Sequence, residues 1–296
     1  MITIPESFRA RFVRSADPAE RRWIAELPEL VGRLCETWSL RPDGAPMHGY
    51  VGLVLPVLRP DGTAAMLKVS HLDADSRDEP VALAGWGGRG AVRLLDRDDA
   101  YGALLLERLD SSRSLHDHPI GPAVTVAAEL LRRLTVPTPP LHQTLTGLAA
   151  RWAEEFPAEN AALGRPVPPR LLDAAVDHCR QLGPAAAALM VNQDLHYYNV
   201  LPGEREPWLL IDPKVLTGDP EFGVIPLLWN RFSEADGPGA VRSRLAAIAE
   251  VAGLDLDLAR HWTLVRAVDN WLWAAARHEP FPHVWTCAAI AAAVAG

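Results

Sequence analysis

The feature that most constrains the fold of this 296-residue chain is a change of hydrophobic pattern near residue 110. Residues 50–70 contain two β-rich runs separated by RPDG at 59–62, which predicts two antiparallel strands joined by a tight turn. Beyond residue 110 the apolar residues recur at helical spacing instead. The sequence therefore predicts an α+β chain with two domains, an N-terminal sheet lobe at 1–109 and a larger helical lobe at 110–296.

The same two periodicities predict the remaining elements. In the N-terminal lobe we expect a single short helix at 78–86, with further strands at 91–95 and 103–109 around an acidic turn at 96–99. The C-terminal lobe should contain two short strands, 199–201 and 208–211. Its predicted helices are 123–134, 148–155, 171–182 and most of the chain from 222 onward.

Charge and the length of the apolar runs exclude several classes of partner. The net charge of −8 leaves no basic footprint for nucleic acid. Residues 190–296 hold 13 acidic and 8 basic side chains, which suits a cationic partner or an ordinary solvated acidic surface. No apolar run is long enough for a membrane span, and the N-terminus lacks the features of a signal peptide. We therefore expect a cytoplasmic protein without a membrane partner, and no pattern indicates an obligate protein partner.

The cysteines exclude two further kinds of site. Cys35, Cys179 and Cys287 are odd in number and far apart, and they lack the spacing of a zinc site or of a disulfide framework. We interpret all three as buried thiols.

Lysine is almost absent from this chain. Of 29 basic residues 27 are arginine, and only Lys68 and Lys214 are lysine. An ammonium is a compact point charge, whereas a guanidinium is a planar fork, so the two are not interchangeable where space is limited. Each lysine is therefore a candidate for a position that requires the smaller cation. The alternative for either is chance survival at a tolerant surface position.

One segment concentrates residues that can carry chemistry. Asn199 follows Asp194 by five residues, and Asp212 closes an apolar run 13 residues beyond Asn199. Phosphoryl transfer to a hydroxyl needs a carboxylate that orients and deprotonates the nucleophile, and hard oxygen ligands for Mg²⁺ on the nucleotide phosphates. A loop that leads into a hairpin can bring three such side chains together. We assign Asp194 as the base and Asn199 and Asp212 as metal ligands, although either aspartate taken alone would be interpreted as a turn or a helix cap.

The same segment carries a family resemblance. The stretches VNQDLHYYNVL (191–201), WLLIDPK (208–214) and GDPEF (218–222) resemble the motifs of kinase-like aminoglycoside phosphotransferases, in particular the streptomycin 6-phosphotransferases and the related hydroxyurea and viomycin phosphotransferases. The resemblance extends over residues 40–290 and implies a bilobed protein-kinase-like fold. In that family the loop often begins with His or His-Gly, where this chain has Asn192 and Gln193. The departure concerns how the loop is buttressed and leaves the base and metal ligands intact.

The resemblance places nucleotide-binding residues in the N-terminal lobe. Gly49 and Gly52 lie in a glycine-containing loop at the first long strand, where backbone N–H groups can approach phosphates. Lys68 follows on the paired strand, where kinase-like folds carry the lysine that holds the α- and β-phosphates. Glycines alone would indicate an ordinary loop, so the loop and the lysine support each other.

Two further nucleotide-site assignments follow from the same resemblance. Glu79 is similar to the carboxylate that fixes this lysine, with Asp75 and Asp78 as rivals, and its alternative role is electrostatic stabilisation of a helix N-terminus. The strand that contains Glu107 and ends at Leu109 looks like the hinge whose backbone groups meet the adenine edge.

The remaining assignments lie close to the motif or in the last helices. Lys214 follows the second predicted metal ligand by two residues and is expected beside the phosphates. Asp219 has the position of an N-cap, with Pro at the first helical position, and the alternative is substrate contact or loop bracing. Glu221 and Asp269 are further candidates for acceptor contact. His196 has no clustered partners, which favours packing or hydrogen bonding over catalysis.

The function implied is ATP- and Mg²⁺-dependent phosphorylation of a small polar molecule, with GTP left open as an alternative nucleotide. A cationic acceptor such as streptomycin suits the acidic C-terminal third, and hydroxyurea or another small metabolite fits the same residues. A catalytically silent nucleotide-binding scaffold of the same fold is the alternative from another class. The complete set of Lys68, Asp194, Asn199 and Asp212 argues against it.

Overall fold

The computed structural model of the protein describes residues 2–235, 237–277 and 283–295. The chain divides into two compact units, Met1–Asp110 and Ser111–Gly296. No helix among the described residues is both long and apolar enough to cross a membrane.

The first unit opens with two helices, α1 (Glu6–Val13) and α2 (Pro18–Thr37). Asp17 caps α2, because its carboxylate accepts a hydrogen bond of 2.8 Å from the Ala19 N–H, and Pro18 occupies the first helical position. Neither helix was predicted. With the helix that follows the central hairpin, the described part of this unit has three helices, so the expectation of a single helix was wrong.

An antiparallel sheet forms the centre of the first unit. Its strands are β1 (Arg41–Pro42), β2 (Met47–His48), β3 (Gly52–Leu58), β4 (Ala64–Ser70), β5 (Leu94–Asp98) and β6 (Ala103–Glu107). The order is β1-β3-β4-β6-β5, with β2 also paired to β3. The predicted hairpin is confirmed, since β3 pairs with β4 from Leu58 opposite Ala64 to Gly52 opposite Ser70.

The two faces of β4 differ in character, as alternation along a strand requires. Ala65, Leu67 and Val69 belong to the apolar core cluster that includes Phe8, Phe12 and the buried face of α2. Lys68 and Ser70 therefore lie on the opposite face of the same strand. This alternation keeps the two polar side chains apart from the apolar core.

The rest of the first unit agrees with the prediction in part. The helix α3 (Glu79–Trp86) and the strand β6 confirm the expected elements. The strand predicted at 91–95 lies later, because β5 begins at Leu94 and runs through a register shift between Leu94 and Asp96. The acidic turn expected at 96–99 is consequently displaced toward Gly102, whose φ of +60° favours glycine.

The second unit is mainly helical. Its helices are α4 (Ile120–Leu134), α5 (Leu145–Ala162), α6 (Pro169–Leu182), α7 (Pro226–Trp229), α8 (Gly237–Ala252), α9 (Leu256–Ala276) and α10 (His283–Val294). The three helices predicted between 123 and 182 are confirmed, and each extends beyond its predicted bounds at one end or both.

Two small sheets interrupt these helices. The strands are β7 (Val136–Pro137), β8 (Leu189–Asn192), β9 (Val200–Leu201), β10 (Leu209–Leu210) and β11 (Val215–Gly218). The pair β9 and β10 was predicted, whereas β7, β8 and β11, which form a sheet of order β11-β8-β7, were not. These strands are too short to show a clear period, and tertiary pairing alone establishes them.

The three cysteines are free and buried, as predicted. Burial raises the pKa of the Cys179 and Cys287 thiols to about 12, and the nearby Asp269 carboxylate adds to this effect. Protonated thiols are poor nucleophiles, so these cysteines are packing residues.

Candidate active site

The pairing of β8 with β11 establishes the frame of the site in the second unit. The two strands are antiparallel, with Asn192 opposite Val215, and the Gln193 N–H donates to the Lys214 carbonyl at 2.8 Å. The loop that carries Asp194 begins where β8 ends. The segment that carries Asp212 leads into β11 at the same end of the strand pair. This register brings the two halves of the sequence motif together.

The side chain of Asn192 links the two halves of the sequence motif by hydrogen bonds. Its side-chain Oδ1 accepts hydrogen bonds from the Asp194 N–H at 3.1 Å and from the Lys214 N–H at 3.2 Å. The side chain is only 2% exposed, so these bonds are shielded from water. Asn192 departs from the usual family residue, and the geometry shows that its amide oxygen serves as the loop's buttress.

The loop presents Asp194 next to Lys214. The Asp194 Oδ2 lies 2.7 Å from the Lys214 ammonium, and both side chains are partly exposed, at 21% and 33%. The ion pair places a carboxylate and a cation side by side, and both remain partly exposed. Lys214 was predicted beside nucleotide phosphates, and the structure places its ammonium against the predicted base.

Asn199 is oriented by the loop it follows. Its Nδ2 donates to the Asp194 carbonyl at 3.3 Å, and its backbone N–H donates to the His196 carbonyl at 2.9 Å, which closes the turn. Because the amide nitrogen is turned toward the loop backbone, the other end of the amide, Oδ1, points away from it. An amide oxygen is a hard ligand of the kind that Mg²⁺ accepts.

Asp212 has an unusual backbone. Its φ is +50°, a left-handed conformation that non-glycine residues adopt rarely, with aspartate among the more tolerant. The preceding Ile211 donates its N–H to the Asn199 carbonyl at 2.8 Å, which ties the two predicted metal ligands through one backbone bond. Backbone strain of this kind is common at functional sites, where the surrounding structure enforces it.

The donor chemistry of these two residues fits magnesium. Mg²⁺ is typically held by one or two protein oxygens together with substrate phosphates and water, and not by a complete protein cage. Asn199 and Asp212 supply one amide oxygen and one carboxylate. Among the described residues no group of three or more His, Cys, Asp or Glu could hold a metal ion by itself.

In the first unit Lys68 forms a buried ion pair with Glu79. The Lys68 ammonium lies 2.7 and 2.6 Å from the two carboxylate oxygens of Glu79, at the start of α3. The two residues are only 6% and 2% exposed. The structure thus forms the lysine–glutamate pair that the resemblance implied.

The glycine-containing loop turns directly above this lysine. Gly49 donates its N–H to the Gly52 carbonyl at 2.9 Å, which closes the turn between β2 and β3. A Cβ at Gly52 would lie 2.7 Å from the Ser70 hydroxyl oxygen and 3.4 Å from the Lys68 Cε. Gly52 is therefore required for close approach of the strand and not for a special backbone conformation.

The predicted hinge residues lie at the end of β6. Glu107 is its last residue, and its N–H donates to the Arg93 carbonyl at 2.9 Å, while its Oε2 accepts from the Arg93 N–H at 3.0 Å. Leu109 follows the strand and is half-buried. The Glu107 N–H is therefore already used within the first unit.

Two of the three residues predicted to contact the acceptor, Asp219 and Glu221, accept hydrogen bonds from other residues inside the second unit. Asp219 is 7% exposed, and its two oxygens accept from the Ala187 N–H at 2.7 Å and from the Trp262 indole N–H at 2.8 Å. Although Asp219 precedes a short 3₁₀ helix, its side chain makes no cap bond. The geometry matches the loop-bracing alternative, and the interpretation of its side chain as a cap was wrong.

Glu221 and Asp269 are also embedded in the second unit. Glu221 is 6% exposed, and its Oε1 accepts from the Asp255 N–H at 3.0 Å, just ahead of α9. Burial raises the pKa of this carboxyl. Asp269 lies half-buried on α9, close enough to Cys179 and Cys287 to affect both thiols electrostatically. Neither position provides geometric support for acceptor contact.

His196 fits packing, as the sequence suggested. Burial lowers the pKa of its imidazole, against the opposing effect of the Asp194 carboxylate. Its Nδ1 is buried and has no hydrogen-bond partner within the described part of the chain. The half-buried ring therefore fits packing within the loop.

Sequence reasoning missed Arg266, whose side chain braces the start of the loop that carries Asp194. This residue of α9 is 8% exposed, and its guanidinium donates to the Gln193 carbonyl at 2.9 Å and to the Phe222 carbonyl at 3.3 Å. The guanidinium also lies over the rings of Phe222 and Trp229, at 4.7 and 5.3 Å from their centroids. In a chain with 27 arginines, no local signal separates this one from the others.

Two solved structures that resemble this chain in fold are small-molecule kinases. The chain matches choline kinase from Streptococcus pneumoniae with a TM-score of 0.62 at 13% identity, covering 91% of this chain and 99% of that one. It matches spectinomycin phosphotransferase APH(9)-Ia, solved with ADP and spectinomycin, with a TM-score of 0.56 at 13% identity, covering 90% and 98%. The fold is therefore that of the protein-kinase-like phosphotransferases, as predicted.

The chain belongs to the aminoglycoside/hydroxyurea antibiotic resistance kinase family, whose model matches residues 37–277. It is 41% identical to streptomycin 6-kinase from Streptomyces glaucescens, over 92% of this chain and 91% of that protein. It is 43% identical to hydroxyurea phosphotransferase from Kitasatospora aureofaciens, over 92% of this chain and 80% of that protein. The predicted resemblance is confirmed, and the protein is a phosphotransferase that acts on hydroxyl groups.

Replacing Arg266 should disturb both stability and turnover. We expect Arg266→Met to lower the free energy of unfolding by about 1–3 kcal/mol, because two buried carbonyls lose their charged donor. The loop that carries Asp194 loses a fixed point, so kcat should fall as well. Denaturant unfolding and steady-state kinetics measure the two effects. Arg180→Met, a change at a side chain of α6 that is 64% exposed, is the control and should alter neither. Wild-type stability and kcat in Arg266→Met would refute this role.

Proposed function

We propose that the protein transfers the γ-phosphoryl group of ATP, in the presence of Mg²⁺, to a hydroxyl group of a streptomycin-like aminoglycoside. The observation that carries this proposal is the identity of 41% and 40% to two streptomycin 6-kinases, each matched over 91% of its length. GTP is the alternative phosphoryl donor, and the family resemblance favours ATP.

The nucleotide phosphates are assigned to residues of the first unit. Lys68 binds the α- and β-phosphates as a point charge, and Glu79 holds its ammonium in place through both carboxylate oxygens. Gly49 and Gly52 allow the loop backbone to approach the phosphates. The backbone that follows the Glu107 N–H, up to Leu109, meets the adenine edge.

The transfer chemistry is assigned to the second unit. Asn199 and Asp212 would hold a magnesium ion, which would neutralise charge on the phosphate oxygens. Asp194 accepts the proton of the acceptor hydroxyl while that oxygen forms its bond to the γ-phosphorus and the bond to the bridging oxygen breaks. Lys214 lies against the Asp194 carboxylate at 2.7 Å and keeps a positive charge beside the reacting groups. Positioning and electrostatic stabilisation then account for most of the rate enhancement.

The charge of the chain supports a cationic acceptor. Residues 190–296 carry 13 acidic and 8 basic side chains, so the part of the chain that contains the predicted base has a net charge of −5. An acidic surface raises the local concentration of cations and speeds their encounter with the site. An aminoglycoside suits this charge balance, and the likeness to streptomycin 6-kinases is what favours it over a neutral acceptor.

Phosphorylation of hydroxyurea is a second candidate function. It is favoured by the 43% identity to a hydroxyurea phosphotransferase, which the chain matches over 80% of that protein's length. The purified protein distinguishes the two in an assay of ATP and GTP consumption with streptomycin, hydroxyurea and neutral sugars offered separately. Turnover with streptomycin alone supports the first proposal. Turnover with hydroxyurea alone supports the second, and turnover with neither contradicts both.

Removing the carboxylate of Asp194 tests the catalytic base. We expect Asp194→Asn to retain nucleotide affinity and to lower kcat by about 10²–10⁴, the loss typical of a positioned general base. Isothermal calorimetry with ATP and steady-state kinetics provide the two readouts. Asp177→Asn, an isosteric change at an exposed position of α6, should leave both unchanged. Wild-type turnover in Asp194→Asn would reject the assignment.

Asp212→Ala tests the metal ligands. We expect the variant to lose the gain in ATP affinity that Mg²⁺ provides, because the remaining ligand, Asn199, is neutral and cannot offset the charge of the ion. Calorimetric titrations of ATP with and without Mg²⁺ measure this difference directly. Asp257→Ala, at an exposed position of α9, is the control. If Asp212→Ala responds to Mg²⁺ as the parent does, Asp212 is not a ligand.

Lys68→Arg tests whether the compact ammonium matters. The site is 6% exposed, and both Glu79 oxygens lie within 2.7 Å of the ammonium, so a longer planar fork cannot occupy the same space. We expect kcat/KM for ATP to fall at least about tenfold, equal to about 1.4 kcal/mol, with little change in melting temperature. Lys214→Arg, at a more exposed position, should show a smaller effect. Unchanged kinetics in both variants would show that lysine survived at these positions by chance.

A further inference from the structure

The helix α1 is anchored to the core of the first unit by two aromatic side chains. Phe8 and Phe12 are 1% and 2% exposed, and both rings pack against Trp23 of α2, at centroid distances of 6.0 and 4.9 Å. The two phenylalanines are four residues apart, so they lie on the same side of α1. Apolar packing against α2 therefore fixes the position of α1.

The Ser7 side chain of α1 connects to the glycine-containing loop, which joins β2 to β3 at residues 49–51. Its hydroxyl lies within hydrogen-bond distance, 2.9 Å, of Nε2 of His48, the last residue of β2. Nδ1 of the same imidazole donates to the Gly49 carbonyl at 3.0 Å, since a carbonyl can only accept. A chain of two hydrogen bonds thus runs from α1 to the first residue of the loop.

Arg11 of α1 contacts the middle of the loop through the ring of Tyr50. The guanidinium carbon lies 3.0 Å from the centroid of that ring. A cation over the face of an aromatic ring is attracted by the negative potential of the ring. Tyr50 is 67% exposed, so much of its side chain faces solvent, and the contact with the anchored helix restrains it.

A loop that contains glycine is costly to keep in one conformation, because glycine has more backbone freedom to lose than other residues. Backbone hydrogen bonds restrain its ends: Gly49 donates to the Gly52 carbonyl at 2.9 Å, and His71 donates to the Val51 carbonyl at 3.0 Å. If only a fraction of the molecules holds the binding conformation, the apparent affinity for nucleotide falls by that fraction. Contacts from α1 raise this fraction without touching the nucleotide.

We propose that Ser7 and Arg11 are positioning residues, which hold the glycine-containing loop in the conformation that binds the nucleotide phosphates. This inference rests on the proposed function, which brings the loop backbone to the phosphates. Phosphoryl transfer itself is assigned to residues of the second unit. Loss of the contacts from α1 should therefore weaken ATP binding and leave kcat at saturating ATP unchanged.

Arg11→Met keeps a long apolar side chain and removes the cation over Tyr50. We expect the Kd for ATP to rise about two- to fivefold, in line with the loss of one such contact. Adding Ser7→Ala, which breaks the link to His48, should bring the total loss to about tenfold. Tyr50→Leu should match Arg11→Met, because it removes the other half of the same contact. The conservative Tyr50→Phe keeps the ring and should retain the affinity of wild type.

Arg9→Met is the matched control. Arg9 is an exposed residue of the same helix. It lies two positions before Arg11, so its side chain projects in a different direction. The substitution removes the same charge from α1 without affecting the contact with Tyr50. It should leave the Kd for ATP, kcat and the melting temperature unchanged.

The experiment measures calorimetric binding of ATP plus Mg²⁺, the melting temperature, and kcat with streptomycin or hydroxyurea, whichever the wild type phosphorylates. The expected result is weaker ATP binding in Arg11→Met and Tyr50→Leu, no further loss when these two are combined, and wild-type kcat throughout. An unchanged Kd in Arg11→Met, with or without a lower melting temperature, would overturn the positioning role. A lower kcat with unchanged Kd would do the same. Failure of the wild type to bind ATP would instead contradict the proposed function itself, so the two failures are distinguishable.

Discussion

The candidate site of the second unit depends on the antiparallel pairing of β8 with β11. These strands are only four residues long, yet their register, with Asn192 opposite Val215, brings the loop after one strand alongside the chain that enters the other. Slippage by one residue would turn every side chain of β11 to the opposite face. The Asp194 and Lys214 side chains would then no longer meet, and Asp212 would lose its position relative to Asn199.

The acidic residues of this region fall into two groups, one buried and one partly exposed. The carboxylates of Asp219 and Glu221 are buried and accept hydrogen bonds from Ala187, Trp262 and Asp255. They therefore stabilise the fold of the second unit. Asp194 is partly exposed at the mouth of its loop. The division follows from desolvation, because a buried carboxylate needs internal donors, whereas a reactive one must remain accessible to its substrate. Residue type alone does not distinguish the two groups.

Both lysines of the chain pair with carboxylates, in very different surroundings. The Lys68–Glu79 pair is buried, with two short contacts, whereas Lys214–Asp194 is partly exposed. Breaking a buried pair by removing one partner leaves an unpaired charge in a poorly solvated position, so Glu79 and Lys68 depend strongly on each other. The exposed pair can exchange partners at lower cost. This difference suits a permanent holding role for Lys68 and an adaptable one for Lys214.

The sequence by itself determined the features that local chemistry encodes. The β3–β4 hairpin follows from alternating residues around RPDG, the helices between 120 and 182 follow from their apolar spacing, and the family follows from the motif around Asp194. The helix α2 also has a local signal, an N-cap at Asp17 followed by Pro18 at the first helical position. Only the tertiary structure decided the pairing of β8 with β11, the bracing roles of Arg266 and Asp219, and the contact of Arg11 with Tyr50. These depend on contacts between residues distant in the chain, and whether a polar side chain is buried, paired or exposed exists only once those contacts have formed.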